Sequence, residues 1–407
     1  WHDIDVINEL DKLLNTSVTR QMISDVPIGA FLSGGIDSST VVALMQAQSN
    51  KQINTFTIGF HDVDFNEATY AKAIANHLGT NHNELYVSSR NALDVIPKLS
   101  SIYSEPFADS SQIPTYLVSA LAAQKVTVSL SGDGGDELFG GYNRYIYHEK
   151  YWSSIQRVPL VIRQLIQKLL FNFPMSSHNF ILSFLKHIIP DRYNHILSSE
   201  LFHKSIRVLA ARDSGKFYAA LVNHWDPISV VRGYDQIVGS SINQKFVSPS
   251  IDTVQEMMFQ DALTYLPDDI LTKLDFAAMS VSLETRTPFL DHKVVEFAAH
   301  LPNSFKIRGG AGKWALRQVL SRYIPNEMFE RRKKGFGIPL AQWLRGPLRD
   351  WAETLLSEER LLREGFFNPL PIRKKLLEHM EGRNNWEHNL WDILMFQSWF
   401  ESQSIVR

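Results

Sequence analysis

The segment Ser33–Ser39 reads SGGIDSS and lies where a short apolar run gives way to a helix-forming stretch. Glycines let a backbone approach a phosphate closely, and serine hydroxyls and helix N-terminal amides donate hydrogen bonds to it. Asp37 would repel that anion unless a divalent cation lay between them, so the segment favours a pyrophosphate bridged to Asp37 by Mg²⁺. The alternative is a turn without a ligand. The Walker A lysine is missing, which disfavours a P-loop kinase or GTPase.

A second glycine-rich segment, Ser131–Tyr142, reads SGDGGDELFGGY and carries three acidic residues among five glycines. Such a loop is suited to hold cations against phosphates, and a flexible acidic turn is the alternative. Both segments follow predicted strands. In open α/β sheets ligands gather beyond the carboxyl ends of strands, so we expect the two loops to face one pocket and to bind a Mg-nucleotide.

The elements around these loops alternate between strand and helix, which is typical of a parallel sheet covered by helices on both faces. Apolar spacing predicts a helix over 4–23. The first predicted strand begins at Val26, and three more cover 53–60, 83–87 and 126–130. The predicted helices cover 38–48, 66–77, 92–101 and 111–124. Residues 151–247 are predicted to be helical and contain no motif, which indicates a helical insertion or, alternatively, a partner-binding or membrane-touching surface. Helical character is predicted to continue from Thr253 to Arg322.

These patterns predict four parts. They are a leading helix or linker (1–23), a pyrophosphate- and nucleotide-binding α/β core (24–150), a helical insertion (151–250) and a helical part that completes the site (251–407).

Composition excludes several classes of function. The net charge of −2 over 407 residues argues against nucleic-acid binding, and the one sharp basic cluster, 331–334, is either a surface charge run or a phosphate-facing loop. No apolar run is long enough to predict a membrane span. The chain has no cysteine, which excludes disulfides, thiolate zinc sites and a cysteine nucleophile. No secretory signal is recognisable, so the cytoplasm is the expected location.

Three downstream segments complete a recognisable set of motifs: LDFAAMS at 274–280, LETRTPFLD at 283–291 and GKWALR at 312–317. Together with the two loops they resemble the synthetase domain of the asparagine synthetase B family, within the pyrophosphate-loop ATPase superfamily. The beta-lactam and carbapenam synthetases are relatives. The resemblance implies an α/β fold of the adenine nucleotide alpha hydrolase type, with a large helical insertion and a helical C-terminal part.

The resemblance also implies a two-step reaction at one site. A carboxylate, in the family archetype the side chain of L-aspartate, attacks the α-phosphorus of ATP and expels pyrophosphate. Ammonia then displaces AMP from the acyl-adenylate. The implied pyrophosphate contacts are Ser33, Gly34, Gly35, Asp37 and Ser38; the implied adenosine contacts are Phe31, Ile58, Ser131 and Gly132; the implied Mg²⁺ ligands are Asp37 and Asp136; and the implied catalytic residues are Lys313, Asp133 and Glu284.

Two of these residues carry alternatives. Asp133 stands where asparagine synthetases often have glutamate and the beta-lactam-forming relatives have tyrosine, so its role as acid, base or positioning group is open. Glu284 falls where a cyclising relative supplies a dyad partner, and the favoured alternative is a buried ion pair between Glu284 and Arg286.

The partners follow from the same resemblance. The family takes ammonia from an N-terminal glutaminase domain that this chain lacks, and a start at Trp1 without methionine suggests a trimmed fragment. The oligomeric state is not decided, and a homodimer is one option. Three alternative functions are amidation of another carboxylate, such as a uronic acid of a surface polysaccharide, beta-lactam formation, which Asp133 disfavours, and a non-catalytic nucleotide-binding module. The presence of Asp37, Asp136 and Lys313 together argues against the module.

Overall fold

A computed structural model describes residues 1–60, 67–172, 206–234, 252–330 and 337–405. The chain forms two compact units. The first contains residues 1–146 and 254–338, and the second contains residues 147–253 and 339–407. This division differs from the predicted parts, because the first 23 residues belong to the same unit as the α/β core and the last 69 positions do not.

The first unit is built on a five-stranded sheet in the order β3-β2-β1-β4-β5, in which all neighbouring pairs are parallel. The strands are β1 (Ile28–Phe31), β2 (Asn54–Phe60), β3 (Asn81–Val87), β4 (Val128–Leu130) and β5 (Glu284–Arg286). The chain moves outward from β1 through β2 to β3 and then returns to the other side of β1. The loops after β1 and β4 therefore flank the point where the strand order reverses, which is where α/β sheets bind ligands. The predicted fold class is confirmed.

The fifth strand corrects the expectation of uninterrupted helix between Thr253 and Arg322. β5 is only three residues long, and two of these are charged. Its existence depends on distant pairing with β4, since Glu284 N donates to Thr127 O at 2.9 Å and Ser131 N donates to Arg286 O at 2.8 Å. A segment this short has no detectable period of two, so its sequence alone does not predict a strand.

Helices cover both faces of the sheet and also recur along the described residues of the second unit. Over the described residues the longer helices, in chain order, are α1 (Asp3–Gln21), α2 (Ile36–Ala47), α3 (Ala68–Leu78), α4 (Ser89–Leu93), α5 (Ile96–Ile102), α6 (Gln112–Ala122), α7 (Gly135–Phe139), α8 (Asn143–Gln156), α9 (Leu160–Asn172), α10 (Ser214–Val222), α11 (Pro227–Val230), α12 (Thr253–Leu263), α13 (Thr272–Met279), α14 (His292–His300), α15 (Trp314–Leu320), α16 (Leu340–Arg345), α17 (Arg349–Leu355), α18 (Glu358–Glu364), α19 (Pro369–Met380) and α20 (Glu387–Ile405). A π-helical turn, Leu266–Leu271, leads directly into α13. Parts of the predicted helical insertion and the basic cluster 331–334 lie outside the described residues.

Helix α1 is an integral part of the first unit rather than a linker. Val6, Leu10, Leu14 and Val18 recur every four residues and are buried in the same hydrophobic core as β1, α2 and α15. The buried hydroxyl of Ser17 also donates to the backbone oxygen of Pro288 at 2.7 Å. The predicted helix is therefore present, and it contributes its apolar face to the core that supports the sheet.

The second unit packs α19 and α20 around buried residues that include Ile372, Leu376 and Trp391. His379 is fully buried, and its Nδ1 accepts a hydrogen bond from Trp386 N at 3.0 Å. Burial and the nearby Arg345 lower the pKa of His379 to about 4. In the part of the chain that is described, no helix is long and apolar enough to cross a membrane.

We expect His379 to make the protein sensitive to acid. Its pKa is about 6.5 when unfolded and about 4 when folded, so its contribution is present above pH 6.5 and is lost as the pH falls toward 4. The free energy of unfolding should fall by about 2 kcal/mol through this group between pH 7 and pH 5. Urea unfolding followed by tryptophan fluorescence at both pH values measures it. His379→Gln should flatten this pH dependence, whereas His77→Gln, at an exposed site, should not; equal slopes for all three proteins would contradict the assignment.

Candidate active site

The two glycine-rich loops meet at the carboxyl edge of the sheet. The loop after β1 is closed by its serines, because Ser33 N donates to Ser38 Oγ at 3.2 Å and the two hydroxyl oxygens lie 3.0 Å apart. The loop after β4 rests directly on the start of α2. A Cβ added to Gly132 would lie 2.6 Å from Ser38 N and 2.8 Å from the carbonyl carbon of Asp37, so only glycine permits this approach.

Lys313 joins the two loops. Its Nζ lies 2.7 Å from Asp136 Oδ1 and also bonds to the carboxylate of Asp37, while its side chain is only 6% exposed. Burial alone would lower the pKa of Lys313, but the carboxylates of Asp136 and Asp37 raise it above its usual value. The side chain is therefore a buried ammonium that faces one carboxylate from each loop.

The backbone at Lys313 is unusual. Lys313 lies immediately before α15 and has a left-handed φ of 61°. Few residues other than glycine adopt this conformation, and they cluster at functional sites. Its amide donates to Phe139 O at 2.9 Å, which fixes Lys313 against the end of α7.

A cavity of about 500 Å³ opens between these loops in the first unit. Most of the predicted site residues line it: Phe31, Ser33, Gly35, Asp37, Ser38, Ile58, Ser131, Gly132, Asp133, Asp136 and Lys313. Gly34 does not. It has a φ of 75°, and an added Cβ would lie 2.9 Å from Ala71 N, so Gly34 packs the loop against α3 instead of facing the cavity.

Glu284 is the one predicted catalytic residue that the structure places elsewhere. It begins β5 opposite Val128, at the end of β4 away from the glycine-rich loop, and its side chain is 55% exposed. Its Oε1 accepts a hydrogen bond from Arg286 Nε at 2.7 Å. The ion pair expected between these residues exists but is not buried. Arg286 also donates to the backbone oxygens of Gln21 and Ile23, so Glu284 helps to hold the end of α1.

Asp133 lies beside the cavity and accepts a hydrogen bond from the hydroxyl of Ser131. Burial raises its pKa, while the Ser131 hydrogen bond and the charges of Lys273 and Lys313 oppose the shift. A buried carboxyl group on the cavity wall is suited to exchange a proton with a reactant.

Three charged residues of the site are missed by sequence reasoning: Glu137, Lys273 and Asp109. Glu137 is part of the second glycine-rich motif, but nothing in the motif separates its role from those of the other acids. It is buried, accepts a hydrogen bond from Tyr142 Oη at 2.5 Å, and burial raises its pKa to about 7. Lys273 immediately precedes the motif at 274–280. Its sequence neighbours do not indicate a role in the site, which becomes apparent only because the tertiary fold brings Asp109 to it.

The ring of Tyr142 packs against Arg144 and Tyr265. The guanidinium of Arg144 lies 3.9 Å from the centre of the Tyr142 ring and forms an ion pair with the fully buried Asp261 at 2.8 Å. Tyr265 packs edge-on against the same ring. This stack fixes the hydroxyl that reaches Glu137.

The carboxylates suit a magnesium nucleotide. Among the described residues no group of three or more histidine or acidic side chains is arranged to enclose a metal ion. Mg²⁺ is usually bound through one or two carboxylates together with substrate phosphates and water, and it prefers oxygen ligands. Asp37 and Asp136 offer such a pair because both reach Lys313 Nζ from loops that line the cavity.

A parallel sheet with two glycine-rich loops at its switch point and a buried lysine between two aspartates defines an α/β nucleotide-binding protein. The chain belongs to the asparagine synthase family, whose model matches residues 9–401. It is 29% identical over 398 residues to glutamine-hydrolyzing asparagine synthetase 1 of Bacillus subtilis, covering 97% of this chain and 59% of that protein.

Other relatives agree with this family. The chain is 31% identical over 405 residues to a putative glutamine-hydrolyzing asparagine synthetase of Mycobacterium bovis, covering 98% of this chain and 58% of that protein. A more distant relative is the amidase chyE of Penicillium rubens, 26% identical over 390 residues, with 89% and 56% covered. The chain thus spans less than two thirds of the length of these curated relatives.

Gly132→Ala should damage nucleotide binding. The added Cβ would collide with backbone atoms of the first loop, which cannot rotate away, so the loops must separate. We expect ATP affinity, measured by titration calorimetry with Mg²⁺, to fall at least about tenfold and stability to fall by about 1–3 kcal/mol. Gly215→Ala is the control, because its Cβ would meet its nearest atom, Asp213 Oδ1, at 3.4 Å. Unchanged ATP affinity in Gly132→Ala would contradict the proposed contact of the loops.

Proposed function

We propose that the protein activates a carboxylate with ATP and converts it to an amide, with L-aspartate as the acceptor and L-asparagine as the product. The observation that carries this proposal is the buried ammonium of Lys313, held by one aspartate from each glycine-rich loop. Membership in the asparagine synthase family supports ATP as a substrate.

In the first step an oxygen of the acceptor carboxylate bonds to the α-phosphorus of ATP, and the bond from that phosphorus to the bridging oxygen of pyrophosphate breaks. The products are a β-aspartyl adenylate and pyrophosphate. Ser33, Ser38 and the first amides of α2 lie on the cavity wall where they can donate hydrogen bonds to the pyrophosphate. Lys313 stabilises the negative charge that develops on the α-phosphate and the leaving group.

Mg²⁺ bound by Asp37 and Asp136 would neutralise part of the phosphate charge. Lys313 is held by the same two carboxylates, those of Asp37 and Asp136. Its ammonium would therefore lie close to the phosphates of a nucleotide bound through Mg²⁺. Because the ammonium is already buried, its charge is little screened by water when negative charge develops on the phosphates.

In the second step ammonia attacks the acyl carbon, AMP leaves, and the nitrogen loses a proton. Asp133 is placed to accept this proton, because it lines the cavity and its pKa is raised by burial. Glu137 is a second carboxylate in the same cavity wall. We propose that the longer parent protein obtains its ammonia by hydrolysing glutamine, which the names of the relatives support.

Lys313→Ala should strongly slow the first step. We expect aspartate-dependent release of pyrophosphate, measured with ATP, Mg²⁺ and excess ammonia, to fall at least about 100-fold, as for the loss of other preorganised charge-stabilising donors. Lys51→Ala, at an exposed site, is the matched control.

Thermal unfolding would show whether Lys313→Ala remains folded, since it leaves two carboxylates without their shared cation. Release by the wild type that does not depend on aspartate would redirect the proposal to another carboxylate, such as a uronic acid. Full activity of Lys313→Ala would contradict the role given to this lysine.

A further inference from the structure

Lys273 is a second lysine on the wall of the cavity, and the reaction proposed above leaves it without a role. We propose that Lys273, held by Asp109, determines the specificity for the acceptor. Its ammonium binds the α-carboxylate of L-aspartate, the carboxylate that does not react with ATP. This inference rests on the proposed function and deepens it, because it states how the site would select an acceptor with a second negative charge.

The helix that carries Lys273 directs it toward the cavity. The π-helical turn Leu266–Leu271 continues without a break into α13, and Ile270, Lys273 and Leu274 all line the cavity. A spacing of three and four residues places these side chains on one helix face. π-turns within helices occur frequently at functional sites because they change which face points inward. The two apolar neighbours leave Lys273 as the charged group of this face.

Asp109 fixes the ammonium from outside the cavity wall. Its Oδ2 accepts from Lys273 Nζ at 2.7 Å and from the Ser111 hydroxyl at 2.7 Å, and its Oδ1 accepts from Ser111 N at 2.8 Å. Burial would raise the pKa of Asp109, but Lys273 and these hydrogen bonds lower it well below its usual range, so the carboxyl group is ionised. Lys273 lines the cavity and Asp109 does not. The lysine is therefore placed between a fixed anion and the ligand space.

The other cations of the cavity wall are engaged differently. Lys313 bonds to the two loop aspartates, and Arg317 donates to Gly312 O at 2.9 Å and to Glu330. Both lie on or beside the segment that faces the phosphate loops. Lys273 instead bonds to Asp109, which lies outside the two glycine-rich loops, and like Lys313 it lowers the pKa of Asp133, the residue proposed to act on the attacking nitrogen. Lys273 is thus a cation of the cavity wall that is bound to neither glycine-rich loop.

An ammonium has three protons, and Asp109 takes one of them. A carboxylate of the acceptor would form a charge-assisted hydrogen bond with another. This geometry favours L-aspartate over β-alanine, which is the same molecule without the α-carboxylate and keeps the carboxylate that is to be activated.

The test compares these two acceptors in the wild type and in the double variant Lys273→Met/Asp109→Asn. The double substitution removes both charges together, so Asp109 is not left as a buried carboxylate without the ammonium that it holds. We expect the kcat/KM for L-aspartate, measured by pyrophosphate release, to fall about 10- to 100-fold, mainly through a higher KM. The inhibition constant of β-alanine against L-aspartate should change less than about threefold, and the KM for ATP should not change. Lys273→Arg should recover part of the selectivity because it keeps the charge.

Three results would overturn the inference. Equal losses for L-aspartate and β-alanine would give Lys273 a merely structural role. A higher KM for ATP with unchanged aspartate kinetics would assign Lys273 to the nucleotide. A wild type that releases no pyrophosphate with L-aspartate would contradict both the proposed function and this subsite. Because that result needs no variant, it is distinguishable from a failure of the subsite alone.

Discussion

Burying the ammonium of Lys313 requires a compensating negative charge, and the first unit supplies it from two separate loops. Removing a charge from water costs several kcal/mol unless it is paired with good geometry. Asp37 follows β1 and Asp136 follows β4, so the pairing exists only because these strands are neighbours in the sheet. The site thus depends on the strand order, and the strand order is reinforced by the ion pairs of the site.

The close approach of the two loops is the second condition for this arrangement. Gly132 lets the loop after β4 rest on the backbone at Ser38, and a side chain there would displace one loop from the other. The left-handed backbone of Lys313 belongs to the same set of constraints, because it turns the lysine inward just before α15 begins. Unfavourable local conformation at this position is held in place by the surrounding packing.

The features that the sequence predicts are those with local signals. The glycine-rich loops and the order of strands and helices up to β4 follow from short motifs and apolar periodicity, and the other residues predicted around the loops follow from the family resemblance. The strand β5 and the location of Glu284 do not, because both depend on pairing between β4 and a segment more than 150 residues away. Asp109 and Lys273 are likewise 164 positions apart, and neither has a motif that points to the other.

The distribution of charge separates the cavity into two functional parts. Asp37 and Asp136 both bond to Lys313. In the proposed reaction these carboxylates would exchange the ammonium for a cation when a nucleotide binds, and the ammonium would bond to the phosphates instead. Asp109 would keep its partners when a nucleotide binds, because both of its carboxylate oxygens accept hydrogen bonds from Ser111 or Lys273. A pair that stays intact is suited to select a ligand, whereas a pair that must rearrange is suited to respond to chemistry. In the proposed reaction, adaptable charge therefore lies at the phosphates and fixed charge at the acceptor.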